Sequence, residues 1–458
     1  MTNVALVLAL LTFVTVAPAA AQPVETPETW GGDFWKRPRL TGSWSGFRDE
    51  MGKKGVVLDL DLLLIPQGVM SGGHDQTAAF WGTSEYTLNV DTGKAGLWPG
   101  GFFRVYAMTG FGDSVNKDTG GVMPVNFAAL VPDLGNDATV LMNLSYMQFF
   151  STKFGVVVGK LNLLEGDANE FAHGFHSNFL NGGFAVNMAL ALFPFSAYGG
   201  SLIILPWEGA LITAGVVDPS GSPKDNDISQ AFEDGVLVTA QGRFTVKPFG
   251  LVGHQLVGFG WSNKRHLSLD QDPGTFAQAL ISERYPRLQD PGPVLRRILD
   301  RLFPGGSTPT IERKDHTWSA YYNFDQYLWH PGGDQTRGFG VFFRFGVSDG
   351  NPNPIKYAYN VGFSGNGIVP GRPRDSFGVG WARTELSDQF APLLRQLGLA
   401  REDAVELYYN FAITPALDLT LDLQIVEPGL NKMLDRTGTR LQSVDTAVVG
   451  GLRLYARF

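Results

Sequence analysis

No cysteine occurs in the 458 residues. Disulfides, a thiolate metal site and a cysteine nucleophile are therefore excluded. The compartment stays open, because oxidising surroundings permit disulfides without requiring them. Positive charge is also scarce. Lys and Arg number 36 against 44 Asp and Glu, a formal charge of −8, with no long run of one sign. That balance disfavours nucleic acid as a partner. Nucleophile-elbow, phosphate-loop, H-E-x-x-H and EF-hand patterns are missing as well. The chain reads as a non-enzyme with no cofactor and no metal.

Beyond residue 21 no stretch reads as a membrane helix. Phe184 to Trp207 carries no charge, but Asn187, Pro194, Gly199, Gly200 and Pro206 interrupt it. Proline breaks a helical ladder and paired glycines favour a turn, so two strands joined by a bend are predicted there.

What is present begins with an apolar run, Val4 to Val16, followed by Ala19-Ala20-Ala21. Residues 1–21 are expected to be a secretory signal, although no Lys or Arg precedes the run. Residues 22–54 read as a periplasmic segment. It is Pro/Glu/Thr-rich at first, then holds a short helix over Ser43 to Lys54 with Trp44, Phe47 and Met51 on one side. From residue 55 to 458, alternation with period two takes over. Leu58, Leu60 and Leu62 alternate with Asp59 and Asp61. Phe103 and Val105 alternate with Arg104, and Val341, Phe343 and Phe345 with Arg344. Arg243 falls on the polar face of the Val236 to Thr245 strand, and Asp418 and Asp422 on the polar face of Leu417 to Ile425.

Alternation alone fits a soluble sandwich or a membrane barrel with its faces reversed. The expected export favours the barrel. So does the close of the chain on Phe458, in phase with Ala456, Leu454 and Leu452. This pattern suits recognition by the barrel assembly machinery, though an aromatic is more usual at Ala456. Turn lengths agree: Thr414-Pro415 and Ser151-Thr152-Lys153 are short. Ser262 to Asp315 is a long excursion with a helix predicted over Val294 to Phe303, and Thr384 to Ala400 reads as a helix-like insertion. Short turns on one side and long loops on the other is the outer-membrane plan.

The polar faces are where a pore would act. A guanidinium offers five donors and a carboxylate accepts from hydroxyls. Arg104, Arg243, Arg344, Asp59, Asp61, Asp418 and Asp422 are the candidate lumen residues. Glu165, Asp167 and Asn169 are added as a polar loop that folds into the mouth. A calcium site on that oxygen-rich cluster and a metal on His173 and His176 are the lesser alternatives, as spacing places no third ligand.

Three stretches resemble the carbohydrate-selective porin (OprB) family. They are Gly42-Ser43-Trp44-Ser45-Gly46-Phe47-Arg48 followed by Gly55, the segment Asp375 to Asp388, and residues 405–428 with Tyr409-Asn410, Thr414-Pro415 and Asp422-Leu423-Gln424. The likeness runs from about Leu40 to Phe458. It implies an all-β, sixteen-stranded antiparallel outer-membrane barrel, monomeric or loosely associated, that admits glucose and other small sugars by passive diffusion. It also implies arginine and glutamate near a constriction, without assigning them to positions here. Chain length alone would allow eighteen strands. A barrel enzyme such as a lipase and a secreted glycan-binding β protein remain the alternatives.

Overall fold

The computed structural model describes residues 26–132, 136–271, 311–389, 398, 400–430, 432–434 and 441–458. The expected signal segment, the helix over Val294 to Phe303 and most of the insertion before Ala400 lie outside the described residues.

Sixteen antiparallel strands close into one barrel. In chain order they are β1 Val56–Gly73, β2 Ala78–Asp91, β3 Gly101–Gly112, β4 Ala138–Ser151, β5 Phe154–Asn162, β6 Ser196–Ile204, β7 Ala210–Val217 and β8 Leu237–Val246. Then follow β9 Gly253–Ser262, β10 Thr317–Trp329, β11 Gly338–Ser348, β12 Ile355–Asn366, β13 Ser376–Leu386, β14 Arg401–Thr414, β15 Leu417–Glu427 and β16 Asp445–Arg457. Each pairs with its neighbours in sequence, and β16 returns to β1 with Arg457 opposite Asp61. Closure leaves no edge strand, so every ladder group has a partner without water.

Side-chain phase follows the period of two. On β15, Leu421, Leu423 and Ile425 point outward and are exposed, while Asp418, Thr420, Asp422 and Gln424 point inward and are buried. Aromatic pairs ring the outer wall near both ends. Toward the short turns Phe103 meets Tyr146, Phe150 stacks on Phe154, Trp207 on Phe244 and Trp329 on Phe339. Toward the long loops Phe345 stacks on Tyr357, and Tyr359 meets Trp381 edge-on. Such girdles place amphipathic rings at the two water boundaries of a bilayer. The predicted asymmetry holds for most connections: Ser151 reaches Phe154 and Thr414 reaches Leu417 almost directly, whereas residues 113–137, 163–195 and 263–316 are long; on the long-loop side 74–77 and 349–354 are short exceptions.

Two local expectations change. The helix near the start, α1, spans only Phe47–Lys53. Trp44, Ser45 and Gly46 before it all take positive φ (51°, 59° and 94°), a left-handed run that cannot be α-helical. Its buried side carries Arg48 and Gly52, and Phe47 is exposed. The Trp30 ring lies so close that a Cβ on Gly52 would stand 2.4 Å from it.

The second change concerns Phe184 to Trp207, where only Ser196–Ile204 is a strand. The first half is a one-turn helix, α2 Gly182–Ala185, followed by a 3₁₀ turn at Met188–Leu190. Asn181 and Asn187 supply the caps, their side chains accepting from the amides of Gly183 and Ala189. The run is uncharged because it folds into the barrel, where Phe184 packs on Phe179 and Phe342. Thr384 to Leu386, expected to begin a helix-like insertion, instead completes β13.

Candidate functional site

Two long loops, 113–132 and 163–195, turn inward and lie against the wall formed by β10 to β16 and β1. Polar wall residues hold them by their backbone. Glu406 accepts from the amides of Leu180 (2.6 Å) and Asn181 (2.9 Å), and Glu402 from those of Val122 (2.5 Å) and Met123 (2.6 Å). Arg453 donates to the carbonyls of Phe175 and Asn178. Arg344 donates to those of Phe184 (2.5 Å) and Ala172 (3.0 Å) and pairs through Nε with Asp167 Oδ2 at 2.7 Å. Asn323 and Asn360 complete the set, bonding Asp167 Oδ1 at 2.9 Å and the Gly183 carbonyl at 2.6 Å. An irregular loop leaves many of its own amides and carbonyls unpaired, so the wall pairs them where water is excluded. Burial pushes the Asp167 carboxyl up, against the pull of Arg344. Burial, with Arg344, Arg243 and His176 nearby, holds the His173 imidazole down at about 4.

The loops leave an open space of about 830 Å³ on the other side of the lumen. It extends from Gly55 and Asp91 near the short turns to Val217 and Leu237 near the long loops, against β3 to β8. Arg104 on β3 faces Glu165 on the loop across it, Nη2 to Oε1 at 2.7 Å, with side chains 40% and 44% exposed. Asn162 also reaches Glu165, at 3.2 Å. On the far side the Tyr321 hydroxyl donates to Gln241 (2.8 Å), which accepts from the Asp167 amide as well. Asn143, Ser145 and Thr213 add smaller polar groups to the lining.

The sequence candidates therefore separate. Arg104 and Glu165 stand together in the open space. Arg243 is half-buried on the inward face of β8, two residues from Gln241. Arg344, 1% exposed, and Asp167 and Asn169, both buried, serve as loop anchors. Asp59 and Asp61 are paired with Arg39 at 2.7 Å, near the β1–β16 seam. Asp418 pairs with Arg457 at 2.6 Å, and Asp422 is buried beside Glu406, Gln424 and Arg453. His173 and His176 do not converge: His176 Nε2 lies 2.7 Å from Glu85, and His173 is half-buried near Arg344 and Arg243. Among the described residues no group of three acidic or histidine side chains could hold a metal. Glu402, Glu406 and Arg453 were not singled out from sequence. Their inward phase was visible in the alternation, but a wall residue that anchors a loop has the same phase as one that meets water.

Residues 75–458 match the family described as carbohydrate-selective porin, OprB family. The high-pH structure of Pseudomonas putida OprB superposes with a TM-score of 0.73 at 20% identity, covering 93% of this chain and 100% of that one. The low-pH structure of Pseudomonas putida OprB gives 0.54 at 16% identity, covering 92% and 99%. No curated protein matches the sequence. At these identities the structural likeness is one of fold.

Proposed function

Since the chain belongs to the carbohydrate-selective porin (OprB) family, we infer that its route for sugar is the space beside the inward loops, with Arg104 and Glu165 as the groups a sugar meets. The protein is an outer-membrane porin that passes carbohydrates down their gradient, a channel rather than an enzyme. Glucose and sugars of similar size are the proposed cargo. Along its outward leucines the barrel meets outer-membrane lipid, and β16, ending on Phe458, is the proposed handle for the barrel assembly machinery.

One observation carries the assignment of the route: of the charged candidates, Arg104 and Glu165 form the pair exposed in the open space. A water-exposed ion pair is worth only about 0–1 kcal/mol. It opens readily, and each half can then exchange its partner for a hydroxyl. The test is block of ion current by rising glucose concentration. Arg104→Ala and Glu165→Gln are expected to raise conductance and weaken block, each by the value of a single wet hydrogen bond, about 0.5–1.5 kcal/mol. Unchanged blocking constants in both variants would place the sugar contacts elsewhere.

A further inference from the structure

The polar part of the lumen wall and the open space lie on opposite sides. Glu402, Glu406, Gln424, Arg344 and Arg453 are committed to loop backbone and are buried. The wall left uncovered is mixed, and beside Arg104, Asn143 and Ser145 it carries an apolar row. In register, Phe102 on β3 stands opposite Met147 on β4, and Met147 opposite Val157 on β5. All three line the open space and are half-buried. One row toward the short turns, Phe149 and Ile203 flank Gly155 and extend the same surface. Across from this wall the loop presents Leu163, Leu164, Phe193 and Phe195.

Porin lumens are ordinarily polar because they hold water. An apolar row facing the Arg104–Glu165 pair gives this part of the passage two unlike sides. A fully hydroxylated ring pressed against Phe102, Met147 and Val157 loses water from its hydroxyls and gains no partner there. An apolar ring in the same place releases water from both surfaces. We propose that the passage favours glycosides carrying an apolar aglycone, aryl or alkyl, over fully hydroxylated sugars of equal size. The glycone meets Arg104 and Glu165, and the aglycone lies along Phe102, Met147 and Val157.

This rests on the carbohydrate-porin function and is tested so that the two can fail separately. Liposomes holding the purified protein are assayed by swelling with glucose, maltose and phenyl glucoside. Maltose and phenyl glucoside each join a second ring to glucose, hydroxylated in one and apolar in the other. Phenyl glucoside is expected to enter about threefold faster than maltose or more. In a Met147→Gln, Val157→Thr double variant that ratio should fall toward one. A wild-type ratio at or below one overturns the aglycone preference, while swelling in glucose leaves the porin function standing. A high ratio that survives the double variant removes the preference from this row and overturns the assignment. Swelling with none of the three sugars, glucose included, would remove the carbohydrate function and the preference with it. If the double variant fails to insert, Met147→Gln alone supplies the same comparison.

Discussion

His173 shows how far one side chain can depart from its place in a motif. It stands three residues before His176, yet the two meet different surroundings. His176 contacts Glu85, stacks on Phe175 and packs at a tilt against Tyr455. His173 is half-buried, with Arg344, Arg243 and His176 as its charged neighbours, and its pKa falls from 6.5 to about 4. The unfolded loop therefore binds a proton more readily than the folded one. The His173 contribution to loop packing is fully present above about 6.5 and is lost as pH falls toward 4, while the buried Asp167 carboxyl, raised in the same loop, acts in the opposite sense. The loss is at most about 3 kcal/mol, from 1.36 kcal/mol per unit. Proteolysis of the 163–195 loop is expected to be faster at pH 5 than at pH 7.5. His173→Asn should flatten the difference, and an equal pH response in that variant would assign it to another group.

At the scale of one strand, β14 and β15 carry lipid contact on one face and loop support on the other. Leu421 points into lipid, and Leu421→Arg would place a charge near mid-bilayer at a cost of roughly 2–4 kcal/mol. The inward phase of its neighbour Asp422 marks it as a lumen residue, where Asp422→Arg would change conductance or ion preference. The structure instead buries Asp422 against the supports of the loop. Glu406 is a sharper probe of that inner face. Glu406→Ala would leave the Leu180 and Asn181 amides without their acceptor, each worth about 1–3 kcal/mol when buried. Leu421→Arg is expected to lower the amount of folded barrel without changing single-channel conductance. Glu406→Ala should leave the barrel inserted but raise conductance and current noise as the loop loosens. Planar-bilayer recording together with heat-modified gel mobility separates these outcomes. Unchanged conductance in Glu406→Ala would mean that the remaining anchors hold the loop alone.

Over the whole molecule, the stretch from Gly42 to Arg48 fastens the barrel where it closes. Arg48 is 1% exposed. It lies 4.9 Å from the Trp44 ring and 5.4 Å from the Trp30 ring. Its guanidinium reaches the Leu58 carbonyl (2.7 Å) and Asp59 (2.9 Å) on β1, and the Phe458 carbonyl (2.9 Å) just beyond β16. The Phe458 amide in turn donates to Leu60, and the Leu40 amide to Arg457. One planar fork thus ties the first and last strands together. Lysine offers no such fork, so Arg48→Lys is not expected to rescue Arg48→Ala. Both variants should unfold at lower temperature on unboiled gels, and deletion of Phe458 should lower the outer-membrane level further by weakening the assembly handle. Wild-type melting in both Arg48 variants would show that the seam holds without the clasp.

Strand phase is a local property, fixed by alternating side chains, which is why Leu417 to Ile425 could be assigned its two faces from sequence. The barrel, its placement in the outer membrane and the short turns at Ser151 and Thr414 followed from that phase, from turn residues and from the family motifs. The use made of the inward face did not follow. Arg104 and Arg344 occupy equivalent phases on β3 and β11, yet one meets the open space and the other is sealed beneath a loop. The difference comes from which wall the 163–195 loop lies against, and that is set by long-range partners such as Glu406 for Leu180 and Arg453 for Phe175. The uncharged run from Phe184 is ambiguous in sequence for the same reason. Apolar side chains fit a lipid-facing strand and a segment folded into the lumen equally well, and only the surrounding barrel distinguishes the two. Sequence determined the barrel and its two faces; tertiary packing decided which inward residues meet solute, because that depends on which groups the inward loops cover.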